Sequence, residues 1–136
     1  MGDDIMTRNI QRGRDHGIPT YNTMRQACKV SKLTSFRSRP REIGDQDWKK
    51  MSEVYESVND IDLITGGLAE APVPGGLIGP TFACIIGKQF HALLFGDRYF
   101  FTHSSGEKHK GMSLELKDLL RKRTLRDIIC ENTNIR

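Results

Sequence analysis

Long hydrophobic runs are missing from this sequence. No stretch reaches the roughly 18 consecutive apolar residues of a transmembrane helix, and hydrophobic residues make up only 37% of the chain. The first residues, MGDDIMTRN, are acidic and lack the apolar region of a secretory signal peptide. We therefore predict no membrane span and no signal peptide within this sequence.

A strong charge of one sign is also absent. The net charge at pH 7 is only +4, and the basic residues are spread along the chain. The densest basic run, LLRKRTLR, is interleaved with leucines, as is typical of an amphipathic helix with a basic face. The charge pattern therefore favours a solvated surface and predicts no nucleic-acid partner. A basic nucleic-acid binder is the weakest alternative, and it would bind with a steep salt dependence.

Cysteine is scarce, with three residues at Cys28, Cys84 and Cys130. None of them forms a CxxC motif or lies at zinc-ligand spacing from a histidine. The odd count leaves at least one thiol that is free or paired outside this chain. The spacing alone does not decide between reduced thiols and a partial set of disulfides.

Common catalytic and nucleotide-binding motifs are missing too. The glycine-rich stretch GGLAEAPVPGGLIG lacks the lysine and hydroxyl residue of a phosphate-binding loop, so we expect a packed loop. No GxSxG nucleophile motif occurs. His91 lies in an apolar segment, and we expect a partly buried histidine there rather than a metal ligand.

Hydrophobic periodicity predicts a mainly α chain with long irregular loops. The helix from Pro80 is hydrophobic nearly all round, so we expect it to be buried. Because the other helices are short and polar, the chain has the pattern of part of a larger helical core. Helices are predicted over 5–16 with Gly17 as C-cap, over 20–28, over 80–95, and in the segments MSLELKDLLRKR and TLRDIIC. Two more helices are predicted: one runs from a cap at Asp45 or Asp47 to about Val58 with Trp48, Met51 and Tyr55 as its apolar stripe, and one is formed by DIDLITGG and ended by Gly66 and Gly67. DRYFFTH is predicted as a short strand or extended segment.

The segment NIQRGRDHGIPTYN, residues 9–22, contains a cluster of asparagine, arginine, aspartate and histidine side chains. On a helical repeat, Asn9, Arg12 and His16 fall within about 60° of one another. One interpretation is an ordinary helix with surface salt bridges. The other is a site, because a carboxamide and a guanidinium one turn apart can orient a neutral ring and hold a carboxylate. Neither group is a usual general base, so such a site would support a cofactor rather than break bonds.

This segment resembles the signature of the animal heme peroxidases, the myeloperoxidase-like family that includes peroxidasin, peroxinectin and chorion peroxidase. Three further blocks, NDIDLITGGLAE, GPTFACIIGKQF with FGDRYFF, and DIICENT, are similar to family segments and follow in family order. The resemblance covers nearly the whole chain. It implies the C-terminal portion of the multi-helical peroxidase fold, as one partial domain over residues 1–136 that is truncated at both ends, without a separate second domain.

The resemblance also implies roles for particular residues. Asn9 matches the asparagine that hydrogen-bonds the proximal histidine of heme iron, a contact that tunes the iron. Arg12 matches the arginine that contacts a heme propionate. His16 belongs to the motif but carries no iron-ligand role, and Arg8 replaces a residue that is usually apolar.

The same resemblance implies how the cysteines are paired. Cys28 and Cys84 match a family disulfide, whereas Cys130 matches a cysteine whose partner lies further downstream and is therefore unpaired here. A secreted or extracellular full-length protein, in an oxidising environment, is implied.

Several functional residues and sites of the family are expected upstream of this sequence. They are the distal histidine and arginine, the proximal histidine, the calcium site and the acidic residues that can esterify heme. We therefore predict no catalytic residue and no metal ligand in this chain, and no useful turnover by the chain alone.

The leading interpretation is a fragment of a heme peroxidase, which uses hydrogen peroxide to oxidise a donor or halide and takes part in the response to oxidative stress. Its partners would be heme, the remainder of the domain and hydrogen peroxide. An incomplete gene model, an alternative product and a degenerate copy all remain open. The alternative from another class is a non-catalytic interaction module derived from a peroxidase.

Overall fold

A computed structural model describes residues 2–103 and 112–134. Those residues form seven α-helices and no strand, which confirms the predicted mainly α class. The chain divides into two compact units, Met1–Gln89 and Phe90–Arg136; the prediction of one partial domain over residues 1–136 stays a prediction. The helices are α1 (Ile5–Asp15), α2 (Tyr21–Ala27), α3 (Asp45–Val54), α4 (Leu63–Ala69), α5 (Pro80–Gly96), α6 (Leu114–Lys122) and α7 (Leu125–Asn132).

Helix α1 begins and ends close to the predicted boundaries. The Asp4 side chain accepts a hydrogen bond from the backbone N–H of Met6 at 2.9 Å, which satisfies one free donor of the first turn. At the other end Gly17 adopts a φ of 63°, and the N–H of Ile18 donates to the Gly13 carbonyl at 2.8 Å. Glycine adopts this left-handed conformation at little cost, so Gly17 ends the helix as predicted, although the C-cap residue is His16 and Gly17 follows it.

The core of the first unit lies around α2, α3 and the loops that follow them. Trp48 and Met51 of α3 are buried and Tyr55 is half-buried, as the apolar stripe predicted. The indole N–H of Trp48 donates to the Phe36 carbonyl at 2.9 Å, which satisfies its one polar atom. The buried apolar residues are Tyr21, Leu33, Ile43, Trp48, Met51, Val58 and Ile61.

The predicted boundaries of α3 were wrong. The helix has Gly44 as its N-cap with no side-chain hydrogen bond there, so neither Asp45 nor Asp47 caps it. It ends at Val54, because Tyr55 turns to an extended conformation. Val58, which the prediction placed at the helix end, is instead packed into the core from the following loop.

Helix α4 also departs from its prediction, because Gly66 and Gly67 lie inside it rather than ending it. A Cβ atom on Gly66 would overlap the ring of Tyr21, and one on Gly67 would overlap the ring of Phe82. The two glycines therefore allow α4 to pack closely against α2 and the start of α5. Packing, and not local propensity, explains why the helix continues to Ala69.

Helix α5 begins at Pro80 as predicted, but the expected burial was wrong. Thr81 is its one buried residue in the described part of the chain. Phe90 and Phe95 are 66% and 63% exposed, and His91, expected to be partly buried, is exposed with its ring centroid 4.5 Å from that of Phe95. An apolar helix is buried only where other segments pack on it, and those described here cover mainly its first turns.

The second unit contains α6 and α7, both predicted. Ser113 accepts a hydrogen bond from the N–H of Leu116, and Thr124 with Asp127 forms a capping box at the start of α7. The segment DRYFFTH forms turns rather than the predicted strand, with the N–H of His103 donating to the Phe100 carbonyl at 2.8 Å. Within residues 2–103 and 112–134, no helix combines the length and apolar character that crossing a membrane requires.

Candidate functional site

A cavity of about 400 Å³ opens beside α1 in the first unit. Asn9, Arg12 and His16 all line it, so the structure confirms that the three residues share one face of the helix. The other lining residues come from α1, from the turn after it, and from positions around residues 62–64 and 82. They are Ile10, Gly13, Ile18, Asp62, Leu63, Ile64 and Phe82.

The three predicted site residues keep their side chains available. Asn9 is half-buried, whereas Arg12 and His16 are exposed. Within the described residues, no hydrogen bond or ion pair reaches the side chain of any of the three. Other arginines of α1 do form surface ion pairs, Arg8 with Asp3 and Arg14 with Asp62. The salt-bridge interpretation therefore describes the neighbours of Arg12 but not Arg12 itself.

The walls of the cavity combine two kinds of surface. Isoleucine, leucine and phenylalanine side chains give part of the lining an apolar character. The carboxamide of Asn9 and the guanidinium of Arg12 supply polar groups to the same lining. An arginine can hold a carboxylate by two parallel hydrogen bonds. An asparagine can accept a hydrogen bond from a ring N–H or donate one to an unprotonated ring nitrogen. The lining therefore offers apolar surface together with groups that can bind a carboxylate and a ring nitrogen.

Asp62 is the site residue that the sequence analysis missed. Its carboxylate accepts hydrogen bonds from Arg14 Nε at 3.0 Å, Arg14 Nη2 at 2.7 Å and the Tyr55 hydroxyl at 2.9 Å. The Arg14 hydrogen bonds hold the pKa of Asp62 below its ordinary value. Burial raises the pKa of Tyr55, so its hydroxyl remains a donor at neutral pH. Asp62 lies in the quoted block NDIDLITGGLAE, but nothing local ties it to Arg14, 48 positions away.

A buried ionic cluster lies where α2, the end of α4 and the start of α5 meet. The carboxylate of Glu70 accepts hydrogen bonds from the Tyr21 hydroxyl at 2.8 Å, Arg25 Nη1 at 3.3 Å and both the N–H and hydroxyl of Thr81. Glu42 also pairs with Arg25. Burial and the hydrogen bond to Glu70 raise the pKa of Tyr21. The cluster joins α2, the end of α4 and the first turn of α5, which places the residues after Thr81 against the cavity.

The structure contains the Cys28–Cys84 disulfide that the family resemblance implied. It joins the residue after α2 to the first half of α5, with the two Cα atoms 5.9 Å apart and a sequence separation of 56. Cys130, which the resemblance left without a partner in this chain, is a free and exposed cysteine in α7. The disulfide adds a covalent link to the same junction that the buried cluster holds.

Comparison with known proteins gives a consistent result. The family described as "Animal haem peroxidase" matches residues 1–136. The chain is 38% identical over 133 residues to a peroxidase of Drosophila melanogaster, covering 98% of this chain and 19% of that protein. It is 40% identical over 133 residues to thyroid peroxidase of Rattus norvegicus, covering 97% of this chain and 14% of that protein. The chain thus spans less than a fifth of the length of these two relatives.

A solved structure resembles the fold. Peroxidase A from Dictyostelium discoideum aligns with a TM-score of 0.72 at 32% sequence identity. The alignment covers 98% of this chain and 24% of that chain. The helical arrangement therefore matches one part of a larger peroxidase.

Proposed function

This chain belongs to the animal heme peroxidase family, and we propose that it is the C-terminal part of a heme peroxidase domain in which Asn9 and Arg12 support the heme. The observation that carries the proposal is the cavity beside α1. There both side chains stand without partners among the described residues, next to an apolar wall. The activity of the complete domain would be oxidation of a donor or halide by hydrogen peroxide, in the response to oxidative stress.

The residues that line the cavity fit a heme. Arg12 would hold a propionate by charge-assisted hydrogen bonds, and the side chains of Leu63, Ile64 and Phe82 would contact the apolar macrocycle. The oxygen of Asn9 would accept a hydrogen bond from the ring N–H of a histidine supplied by the upstream part of the domain. When bound, the heme supplies the redox chemistry with peroxide. This chain would contribute orientation of the axial imidazole and retention of the cofactor.

The exposed part of α5 supports the proposal that the chain is a fragment. Phe90, Leu93 and Phe95 are 66%, 51% and 63% exposed. Soluble domains seldom leave such a set of large apolar side chains uncovered. We propose that upstream parts of the same domain cover them, in keeping with the 14% to 19% of each relative that this chain spans.

No residue of this chain is assigned a catalytic role. General acid and base groups for cleavage of the peroxide bond, the proximal histidine and the calcium site would lie upstream. We expect the purified chain, mixed with hemin, to show no useful peroxide-dependent oxidation of a dye above hemin alone. Robust turnover would refute this part of the proposal.

A secreted or extracellular full-length protein is the proposed location. The Cys28–Cys84 disulfide supports it, because structural disulfides persist mainly in oxidising compartments. Cys130 would pair with a cysteine further along the complete protein. Mass spectrometry of the non-reduced protein from its native source would detect both linkages.

A non-catalytic interaction module is the second candidate. The exposed apolar residues that support a fragment would equally suit a partner chain, so the size of the native protein decides between the two. An antibody raised against residues 31–60 would detect a band several times larger than 15.4 kDa if the chain is part of a peroxidase. A band at 15.4 kDa would favour the module.

The roles of the two site residues are tested in the complete, heme-loaded domain. Arg12→Ala should weaken heme retention, because a propionate loses its cationic partner. Asn9→Ala should raise the reduction potential of the iron, because the axial imidazole becomes less basic. Gln11→Ala is the matched control, since Gln11 is exposed on the same helix and does not line the cavity. Equal behaviour of Gln11→Ala and Arg12→Ala would contradict the assignment.

A further inference from the structure

Helix α1, which carries Asn9 and Arg12, has few attachments to the rest of its unit. None of its residues is buried within the described part of the chain, and Ile5 and Met6 are 61% and 39% exposed. Its apolar contacts therefore stabilise its position only weakly. A helix held in this way can rotate or fray unless polar contacts restrain it.

The Arg14–Asp62 pair supplies that restraint. Among the described residues, the hydrogen bonds of Arg14 to Asp62 are the only ones that join a side chain of α1 to another element. Two nitrogens of Arg14 reach the two oxygens of Asp62, at 3.0 and 2.7 Å. Bidentate pairing of this kind fixes the direction of the guanidinium as well as its distance.

Asp62 is itself held firmly. Its side chain is 13% exposed, and the Tyr55 hydroxyl donates to it at 2.9 Å while also bonding the Thr65 hydroxyl at 3.1 Å. Asp62 is the residue at the N-terminal end of α4, and Tyr55 follows α3. The anchor for Arg14 is therefore built from two other elements of the first unit.

The position of Arg14 on the helix gives the pair its effect on the site. At 100° per residue, Arg14 is about 140° from Asn9 and about 160° from Arg12 around the axis. Because a helix is stiff, fixing the direction of Arg14 also fixes the directions of Asn9 and Arg12 around the axis. Because Asp62 also lines that cavity, the same contact sets the distance between α1 and the opposite wall.

We propose that Arg14 and Asp62 are positioning residues, whose paired hydrogen bonds hold α1 in the rotation that presents Asn9 and Arg12 to the cavity. What Asn9 and Arg12 then do rests on the proposed function, whereas the restraint on α1 is a property of this chain. The pair acts through orientation rather than through global stability. Arg14 is 61% exposed, and ion pairs of such residues contribute little to folding free energy.

The restraint is tested on the 136-residue chain by hydrogen exchange of backbone amides. Arg14→Lys keeps the charge but cannot make the paired contact, and Asp62→Asn removes the carboxylate. Both should accelerate exchange in α1 by roughly threefold or more, without change in α3. Arg123→Lys is the matched control, because Arg123 makes a similar paired contact with Glu131 in the second unit. Unchanged exchange of α1 in Arg14→Lys would overturn the proposal, even if Asp62→Asn folds poorly.

The effect on the site is tested in the complete, heme-loaded domain by the reduction potential. If Arg14 acts through Asn9, then Arg14→Lys should raise the potential in the same direction as Asn9→Ala. It should add nothing in the Asn9→Ala background. A merely structural contact would lower heme content or the melting temperature without moving the potential of the protein that remains loaded.

The outcomes separate this inference from the proposed function. A potential that moves in Asn9→Ala but not in Arg14→Lys overturns the positioning role and leaves the proposed role of Asn9 standing. A potential that moves in neither refutes the proposed role of Asn9. In that case the hydrogen-exchange result on α1 still decides whether the Arg14–Asp62 pair restrains the helix.

Discussion

Replacing Gly66 by alanine is the most direct test of the packing between α4 and α2. The new methyl group would overlap the ring of Tyr21, which is fully buried. That ring cannot move away easily, because its hydroxyl is bonded to both Glu70 and Arg25. Overpacking a rigid core costs about 1–3 kcal/mol, and the overlap with a fixed ring places this case near the upper value.

Local helix propensity acts in the opposite direction. Alanine is favoured over glycine inside a helix by about 1 kcal/mol. The net expectation for Gly66→Ala is therefore a loss of about 2 kcal/mol in the free energy of unfolding. For a chain of this size the melting temperature should fall by roughly 5–10 °C.

Urea unfolding followed by tryptophan fluorescence is the suitable assay. The chain has one tryptophan, and Trp48 is buried in the core of the first unit, so its signal reports on that unit. Gly87→Ala is the matched control, because Gly87 lies inside α5 and an added Cβ would have no neighbour within 4 Å. The control should be as stable as the wild type or gain up to about 1 kcal/mol. If Gly66→Ala behaves like Gly87→Ala, the close packing of α4 on Tyr21 is wrong.

Three further predictions concern the contacts around the site. Removing the disulfide with the double variant Cys28→Ser and Cys84→Ser should cost about 4 kcal/mol by the loop-entropy relation for a sequence separation of 56, measured by urea unfolding under non-reducing conditions. Because the folded-state pKa of Asp62 is lowered, its contribution is present above its unfolded pKa of about 4 and is lost as the pH falls through the folded value. When unfolding is measured at several pH values, the free energy of unfolding should therefore fall less steeply with decreasing pH in Asp62→Asn than in the wild type. An unchanged slope would contradict the lowered pKa of Asp62. Glu70→Ala should cost about 3 kcal/mol, because Arg25 loses a buried partner, and a change under 1 kcal/mol by thermal unfolding would show that the cluster does not matter to stability.

Local sequence signals predicted the ends of several helices. Gly17 ends α1 and Pro80 begins α5, as expected, because these residues act through backbone conformations that the chain adopts wherever it lies. The face shared by Asn9 and Arg12 was also predictable, since it follows from the helical repeat. A resemblance in several separate blocks indicated the family and the Cys28–Cys84 disulfide.

Signals that depend on neighbours were misread. Gly66 and Gly67 were expected to end a helix, yet they continue it, because the space beside them is filled by the rings of Tyr21 and Phe82. The apolar composition of α5 predicts burial, whereas burial depends on which segments pack on the helix. His91 was misplaced for the same reason.

The sequence by itself determined the mainly helical class, the polar face of α1 and the family to which the chain belongs. The first two depend on residues close together in sequence, and the third depends on blocks of sequence that keep their order. Only the tertiary structure showed that Arg14 donates hydrogen bonds to Asp62, 48 positions away. It also showed that Glu70 accepts hydrogen bonds from Tyr21, Arg25 and Thr81. Such pairings depend on how α1, α2, α4 and α5 pack. No local propensity encodes the distance between two residues that packing brings together, so the surroundings of the site emerged only from the folded chain.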